Sequence, residues 1–195
     1  ECDLEQREAG QLIDRALGDQ QLTCALFNAG VYGPAHQDPR QANSAEIGQL
    51  FLANAVAPIS LAQQLAGRIE TGGVMAFISS QMASLQLNRA LDMPLYGASK
   101  AAVSYFTDSL RVDLADSGIS VHLIEPGFVD TPLTQKNDFS MPFLVSVGDA
   151  AERIYTGLLR GKSRIRFPRR LSYMLKLLSL LPYNLRNSVA TRMKQ

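Results

Sequence analysis

Gly73-Val-Met-Ala-Phe-Ile-Ser-Ser80 reads as a buried strand, an apolar run that closes on two hydroxyls. Two other stretches have the same form. Upstream, Leu22-Thr-Cys-Ala-Leu-Phe27 runs into Asn28-Ala-Gly30. Downstream, Ile119-Ser-Val-His-Leu-Ile-Glu125 runs into Pro126-Gly-Phe-Val-Asp-Thr131. Each strand ends in small or polar loop residues, and helical segments alternate with the strands. That order predicts an α/β chain with a parallel sheet, its ligands bound at the carboxyl ends of the strands.

The intervening segments fit this plan. Residues 5–17 read as a helix with Leu12, Ile13, Ala16 and Leu17 as its apolar stripe, ended by Gly18. Gly33, Pro34 and Pro39 make 30–40 a loop. A long helical region runs from Ser44, the expected N-cap, to Ile69; Asn54 lies at its middle and Pro58 one turn later, which predicts a kink or local opening near Asn54. Gly72-Gly73 reads as the turn into the strand, and 81–94 as a loop. Residues 95–116 form a helix with Ala98, Ala101, Ala102, Tyr105, Phe106 and Leu110 on an apolar face, for the sheet or a second subunit. A further helix is expected over 149–160 with Asp149 as N-cap, then a short strand over 164–167.

Composition sets the bounds. The chain has 195 residues, 46% hydrophobic and 19% charged, enough for one domain with a sizeable core. A formal charge of +1 gives no reason to invoke nucleic acid. Cys2 and Cys24 lie in or beside apolar runs and are expected to be buried structural thiols. Two cysteines and the isolated His36 and His122 offer no metal-ligand spacing, so no metal is expected. With no signal peptide and no apolar run of the ~18 residues a span needs, the expected compartment is the cytoplasm.

The chemistry centres on Tyr96-Gly-Ala-Ser-Lys100. On a helix, i and i+4 share a face, which sets a phenol beside an ammonium. A phenol titrates near ~10, and an adjacent fixed cation favours the phenolate, which would make it a usable general acid/base. A bare Tyr-x-x-x-Lys is far more often an ordinary helix with a half-buried Tyr and a solvated Lys, so its surroundings decide.

Five motifs in order, namely Asp3-Leu4, Asn28-Ala-Gly30, Asn54, Ser80 with Tyr96-x-x-x-Lys100, and Pro126-Gly-x-Val-x-Thr131, resemble the short-chain dehydrogenase/reductase family of the classical type, over roughly residues 1–135. The resemblance implies a Rossmann-like, doubly wound parallel sheet and an NAD(P)-dependent oxidoreductase that interconverts a carbonyl and an alcohol. It assigns catalysis to Asn54, Ser80, Tyr96 and Lys100. Tyr96 would exchange the proton, and Lys100 would lower its pKa and bind the ribose. Ser80 would polarise the substrate carbonyl, and Asn54 would hold a water for proton relay. Ser84 is the rival serine, closer to the family's spacing from Tyr96; Ser80 is preferred because a strand end fixes a side chain better than a loop. Cofactor contacts fall on Asp3 at the adenine, on Asn28, Ala29 and Gly30 on the adenosine side, on Tyr96 and Lys100, and on Pro126, Gly127, Val129 and Thr131 at the nicotinamide end. Asp3 also reads as a helix N-cap. Partners implied are a small carbonyl or alcohol substrate and further copies, as a homodimer or homotetramer through the Asn54 and Tyr96 helices. Phe139, Met141 and Phe143 hint at an apolar substrate, or pack a lid.

The family opens with a strand, a Gly-rich turn and a helix whose N-terminus binds the pyrophosphate. No stretch here matches that opening, so the expectation is a single domain over 1–195 lacking its first βαβ portion, including the residue that separates NAD from NADP. Such a sheet would expose apolar faces and an unpaired edge. Two rivals follow: a catalytically silent interaction domain, and an extended-type epimerase or dehydratase, which shares Tyr-x-x-x-Lys. Residues 168–195 carry six Lys and Arg and no acidic residue, interleaved with leucines. A basic amphipathic helix there can pack on the fold or lie against a membrane.

Overall fold

A parallel sheet organises the computed structural model, which describes residues 3, 4, 6, 8–84, 93–136, 141–182, 184, 185 and 188. Strands β1 (Leu22–Phe27), β2 (Ile69–Ile78), β3 (Ser120–Pro126) and β4 (Arg164–Phe167) lie side by side in chain order, every neighbouring pair parallel. Parallel neighbours need a crossover. Helices α2 (Ser44–Phe51) and α3 (Ala57–Leu65) cross from β1 to β2, α4 (Pro94–Asp113) from β2 to β3, and α5 (Val147–Leu159) from β3 to β4. Helix α1 (Ala9–Leu17) precedes the sheet and α6 (Arg169–Ser179) follows it. The register pairs Phe27 with Phe77, Ile78 with Ile124 and Pro126 with Phe167, so the residues that follow each strand emerge along one edge.

Side chains alternate across the sheet, and helices cover both faces. Met75, Phe77 and Val121 point to one side, against Ala55, Ala62, Val103 and Leu110 from α3, α4 and the segment before α3. Ala76, Ile124 and Ile165 point to the other, against Ala150, Ile154 and Leu158 of α5. Covering on both faces explains why β2 and β3 read as continuous apolar runs. The outer edge of β1 has no strand beside it among the described residues, and Leu26 is 51% exposed. Cys24, expected to be buried, is exposed for the same reason. Cys2 lies outside the described residues.

The opening expected near Asn54 is a π-helical segment, Leu52–Val56, between α2 and α3. A wider turn inside a helix commonly marks a functional position. The run Ser44–Arg68 is, contrary to the sequence expectation, long and apolar enough to cross a membrane. It packs against the sheet and the site through Leu50, Asn54, Ala62 and Leu65, all buried, which makes it a core element of this fold.

Several local readings shift. Asn43, not Ser44, caps α2, its Oδ1 accepting from the Ala45 N–H at 2.8 Å. Ser146, not Asp149, caps α5, its Oγ accepting from the Asp149 N–H at 3.1 Å. Gly72-Gly73 is not a turn before β2 but lies within it, at a register shift against β1, with Gly72 at φ 87°. Helix α1 packs through Ala9 and Gly10, whereas Leu12 and Ala16 are exposed. A methyl group on Gly10 would meet the side-chain amide of Gln64 on α3, which would have to turn aside. On α4 the buried face is Tyr96, Ser99, Val103, Thr107 and Leu110, and Ala98 and Tyr105 point outward.

Candidate functional site

The carboxyl edge of the sheet opens into a cavity of about 430 Å³. Asn28, Gly30, Ser80, Tyr96, Lys100, Pro126, Gly127, Val129 and Thr131 all line it, brought from four separate stretches of sequence. Asp3 and Ala29 are exposed and are not among its walls. Asn54 stands just behind, buried. Ser84, the rival serine, is not among the lining residues.

Tyr96 and Lys100 lie one turn apart on the buried face of α4, at 8% and 3% exposure. The Ser80 hydroxyl lies within reach of the Tyr96 hydroxyl and favours its phenolate. Ser80 is held where β2 gives way to a short 3₁₀ turn, Gln81–Ala83, its Oγ accepting from the Met82 N–H at 3.1 Å. Lys100 Nζ donates to the Ile78 carbonyl at 3.2 Å. Ser79 beside it is structural: its hydroxyl donates to the Lys100 carbonyl at 2.9 Å and meets Ser104 Oγ at 2.7 Å.

Asn54 ties the π segment to the loop after β1. Its Oδ1 accepts from the Val31 N–H (2.7 Å), and its Nδ2 donates to the Val31 carbonyl (2.8 Å) and Ser99 Oγ (2.9 Å). The Ser99 hydroxyl donates in turn to the Tyr96 carbonyl at 2.8 Å. A continuous chain of bonds thus joins the loop, the π segment and the helix that carries Tyr96. Gly30 closes this corner. A Cβ there would sit 2.9 Å from Lys100 Nζ and 3.2 Å from Asn54 Oδ1, so only glycine leaves the ammonium its place.

Four participants escaped the sequence reading. Tyr32 sets its ring edge-on to Tyr96, centroids 4.9 Å apart. Gln37 accepts the Tyr96 N–H at 2.9 Å. Gln81 donates to the Phe167 carbonyl at 2.7 Å, an oxygen that also receives the Gly127 N–H at 2.7 Å. Ser99 is the fourth; its place inside Tyr96-x-x-x-Lys100 was the one available signal. Further out, Thr131 and Thr134 brace each other through backbone and hydroxyl bonds. Met141 packs on the cluster around Tyr96, while Phe143 is half exposed. Phe139 lies outside the described residues. His122 is buried inside β3 with Nδ1 against the Lys162 carbonyl at 2.8 Å.

Burial dominates the electrostatics. It raises the Tyr96 phenol above its ordinary value, Tyr32 adds to that, and the Ser80 hydrogen bond pulls the other way. Lys100, expected to hold the phenol down, does not govern it in this arrangement, where its ammonium is bonded to Ile78 O. Burial lowers the Lys100 amine itself to about 8.

That shift carries a stability signature. Between about 8 and the ordinary 10.5, an unfolded chain holds a proton that folded Lys100 has shed. This residue's contribution to stability therefore rises with pH across that window, and the cost of burying an ammonium stands in full below it. Relative to Lys100→Met, the unsubstituted chain should gain about 3 kcal/mol from the bottom to the top of the window. Urea denaturation of both chains at the two ends checks this; equal pH dependence would show that Lys100 is not buried as a cation.

Comparison with known proteins agrees with this picture. The family model described as short chain dehydrogenase matches residues 1–140. The chain belongs to that family. It is 42% identical over 99 residues to an uncharacterized oxidoreductase of Myxococcus xanthus, covering 51% of this chain and 39% of that protein. It is 30% identical over 129 residues to the 2,3-dihydro-2,3-dihydroxybenzoate dehydrogenase of Escherichia coli, covering 65% of this chain and 50% of that one. Among solved structures, a carbonyl reductase from Pseudomonas aeruginosa in complex with NADP superposes with a TM-score of 0.71 at 37% identity, over 84% of this chain and 71% of that chain. The chain thus spans half or less of the length of these two curated relatives.

Proposed function

We propose that this chain carries the catalytic residues of an NAD(P)-dependent oxidoreductase that interconverts a small carbonyl compound and its alcohol. One observation carries the reading: Tyr96 and Ser80 come together on the wall of a cavity that Lys100 also lines. A substrate oxygen placed against that pair meets two O–H donors, which polarise a carbonyl and stabilise the charge developing on it. A phenol kept neutral by burial is a proton donor at ordinary pH, and Tyr96 gives up its Oη proton to that oxygen in the reducing direction. Lys100 then faces the resulting phenolate as a nearby cation.

The residues present suit the nicotinamide end of a dinucleotide. The cradle at Gly30, which any Cβ would fill, and a buried lysine with one carbonyl partner among the described residues suit a ribose. Asn28, Pro126, Gly127, Val129 and Thr131 complete that end. When bound, the nicotinamide supplies the hydride. The dinucleotide-bound neighbours, such as the reductase with NADP, support the cofactor class; NAD or NADP is left open. The site's apolar walls, Met82, Phe128, Leu133 and Pro142 among them, favour an apolar substrate.

We place the reaction in the cytoplasm and the chain in a homodimer or homotetramer. Exposed Val56, Tyr105 and Val112 on the Asn54 and Tyr96 helices support the association. A peripheral membrane contact through 168–195 belongs to the same reading.

A fluorescence titration with NADPH and NADH tests it, on this chain and on any longer polypeptide containing it. Saturable binding of either is the expected result and settles the preference. No binding by a folded protein would favour a silent interaction domain.

A further inference from the structure

Away from the cavity, α5, β4 and α6 enclose a groove of about 600 Å³. Seven of its fifteen lining residues are Arg or Lys, against Asp149 and Glu152. Some of that charge is answered: Arg164 pairs with Asp108 and Glu125, and Arg166 with Glu125 at 2.6 Å. Arg153, Arg160, Lys162 and Arg169 have no ion pair among the described residues. Cations crowded into one groove repel each other at the surface, an arrangement stabilised by an anionic partner.

Helix α6 makes one rim, and its outer face is unusual. Arg169, Tyr173, Lys176 and Leu177, at i, i+4, i+7 and i+8, share one side, with Leu180 following just past the helix end. Tyr173 and Leu177 are each 68% exposed and Leu180 is 74% exposed. The opposite side is the one that packs, through Leu171 against Gly127 and Pro168 beside the reaction cavity. Alternating cations, an aromatic and leucines on a solvent-facing stripe match a helix lying at a lipid–water boundary, where basic heads meet phosphates and apolar tips enter the acyl region.

We infer that the groove between α5, β4 and α6, together with the Tyr173–Leu180 stripe, docks onto the surface of a bilayer containing anionic phospholipid. Charge complementarity selects this occupant. A second copy related by a two-fold axis would set the same cations against themselves, which costs free energy instead of gaining it. A free soluble anion would satisfy the groove and leave the leucines unused. The inference rests on and deepens the peripheral membrane contact proposed above, and is independent of the reaction assigned to Tyr96.

The experiment is co-sedimentation of the chain with vesicles of phosphatidylcholine alone and of phosphatidylcholine mixed with phosphatidylglycerol. Binding is expected to the mixed vesicles only, and to weaken as salt is raised. Removing a cation by Arg160→Ala or Lys162→Ala should weaken it about fivefold each. Leu177→Ser with Leu180→Ser should weaken it by at least about tenfold. All four side chains are exposed, so folding should survive, with circular dichroism as the check. Binding to neither vesicle overturns the inference. So does binding that ignores the leucine substitutions and is competed away by inorganic phosphate, which would define a soluble-anion site. Self-association abolished by Arg160→Ala would identify a second copy as the occupant and overturn it equally.

Discussion

Tyr96→Phe should lower turnover by about 10²- to 10⁴-fold, the range that a positioned proton donor contributes. The substitution is conservative in every other respect. The ring keeps its edge-on contact with Tyr32 at 4.9 Å and its place in a buried cluster with Leu50, Met82, Leu95 and Phe128. What disappears is one hydroxyl: its proton and its interaction with Ser80. Dinucleotide affinity should change little, so the loss should appear in kcat. Carbonyl-dependent consumption of NADPH or NADH measures it, with a binding titration as control. Undiminished turnover would show that the proton comes from elsewhere.

Phe77→Ala should destabilise the fold by about 3–5 kcal/mol. Phe77 is fully buried at the centre of β2. Its ring stacks on Phe27 with centroids 4.5 Å apart and meets Phe106 edge-on at 5.9 Å. Removing it opens a void between β1, β2 and α4 that a rigid sheet cannot close. Against a typical total of about 5–15 kcal/mol, that is a large share of the stability. Phe77→Leu, which refills much of the volume, should cost under half as much. Urea midpoints of the three proteins separate the cases. Similar midpoints for all three would mean the ring cluster is not what holds β1 to α4.

How far the sequence reveals this molecule depends on the range of the interaction being read. Strands β2 and β3 were legible because burial on both faces writes an unbroken apolar run, and the ends of those runs pointed to the site. Tyr96 and Lys100 were legible because their spacing is itself geometric. Cys24 was not, since an apolar strand is buried only if something lies beside it, and β1 occupies the sheet edge. The caps were missed by one and three positions for a local reason. Asn43 and Ser44, like Ser146 and Asp149, offer competing acceptors within one turn, and the backbone path chooses between them. The dependence of Tyr96 on burial, Tyr32 and Ser80 rather than on Lys100 is legible only in three dimensions. Tyr32, Gln37 and Gln81 sit in loops where no periodicity announces a role.

Helix α6 is a partition with two working sides. Leu171 is part of the cavity wall, whereas Tyr173 and Leu177, two and six residues on, are exposed to solvent. A rigid helix cannot move one side and keep the other still. A tilt that loaded its outer side would therefore resize the chamber that Leu171 and Tyr96 both line.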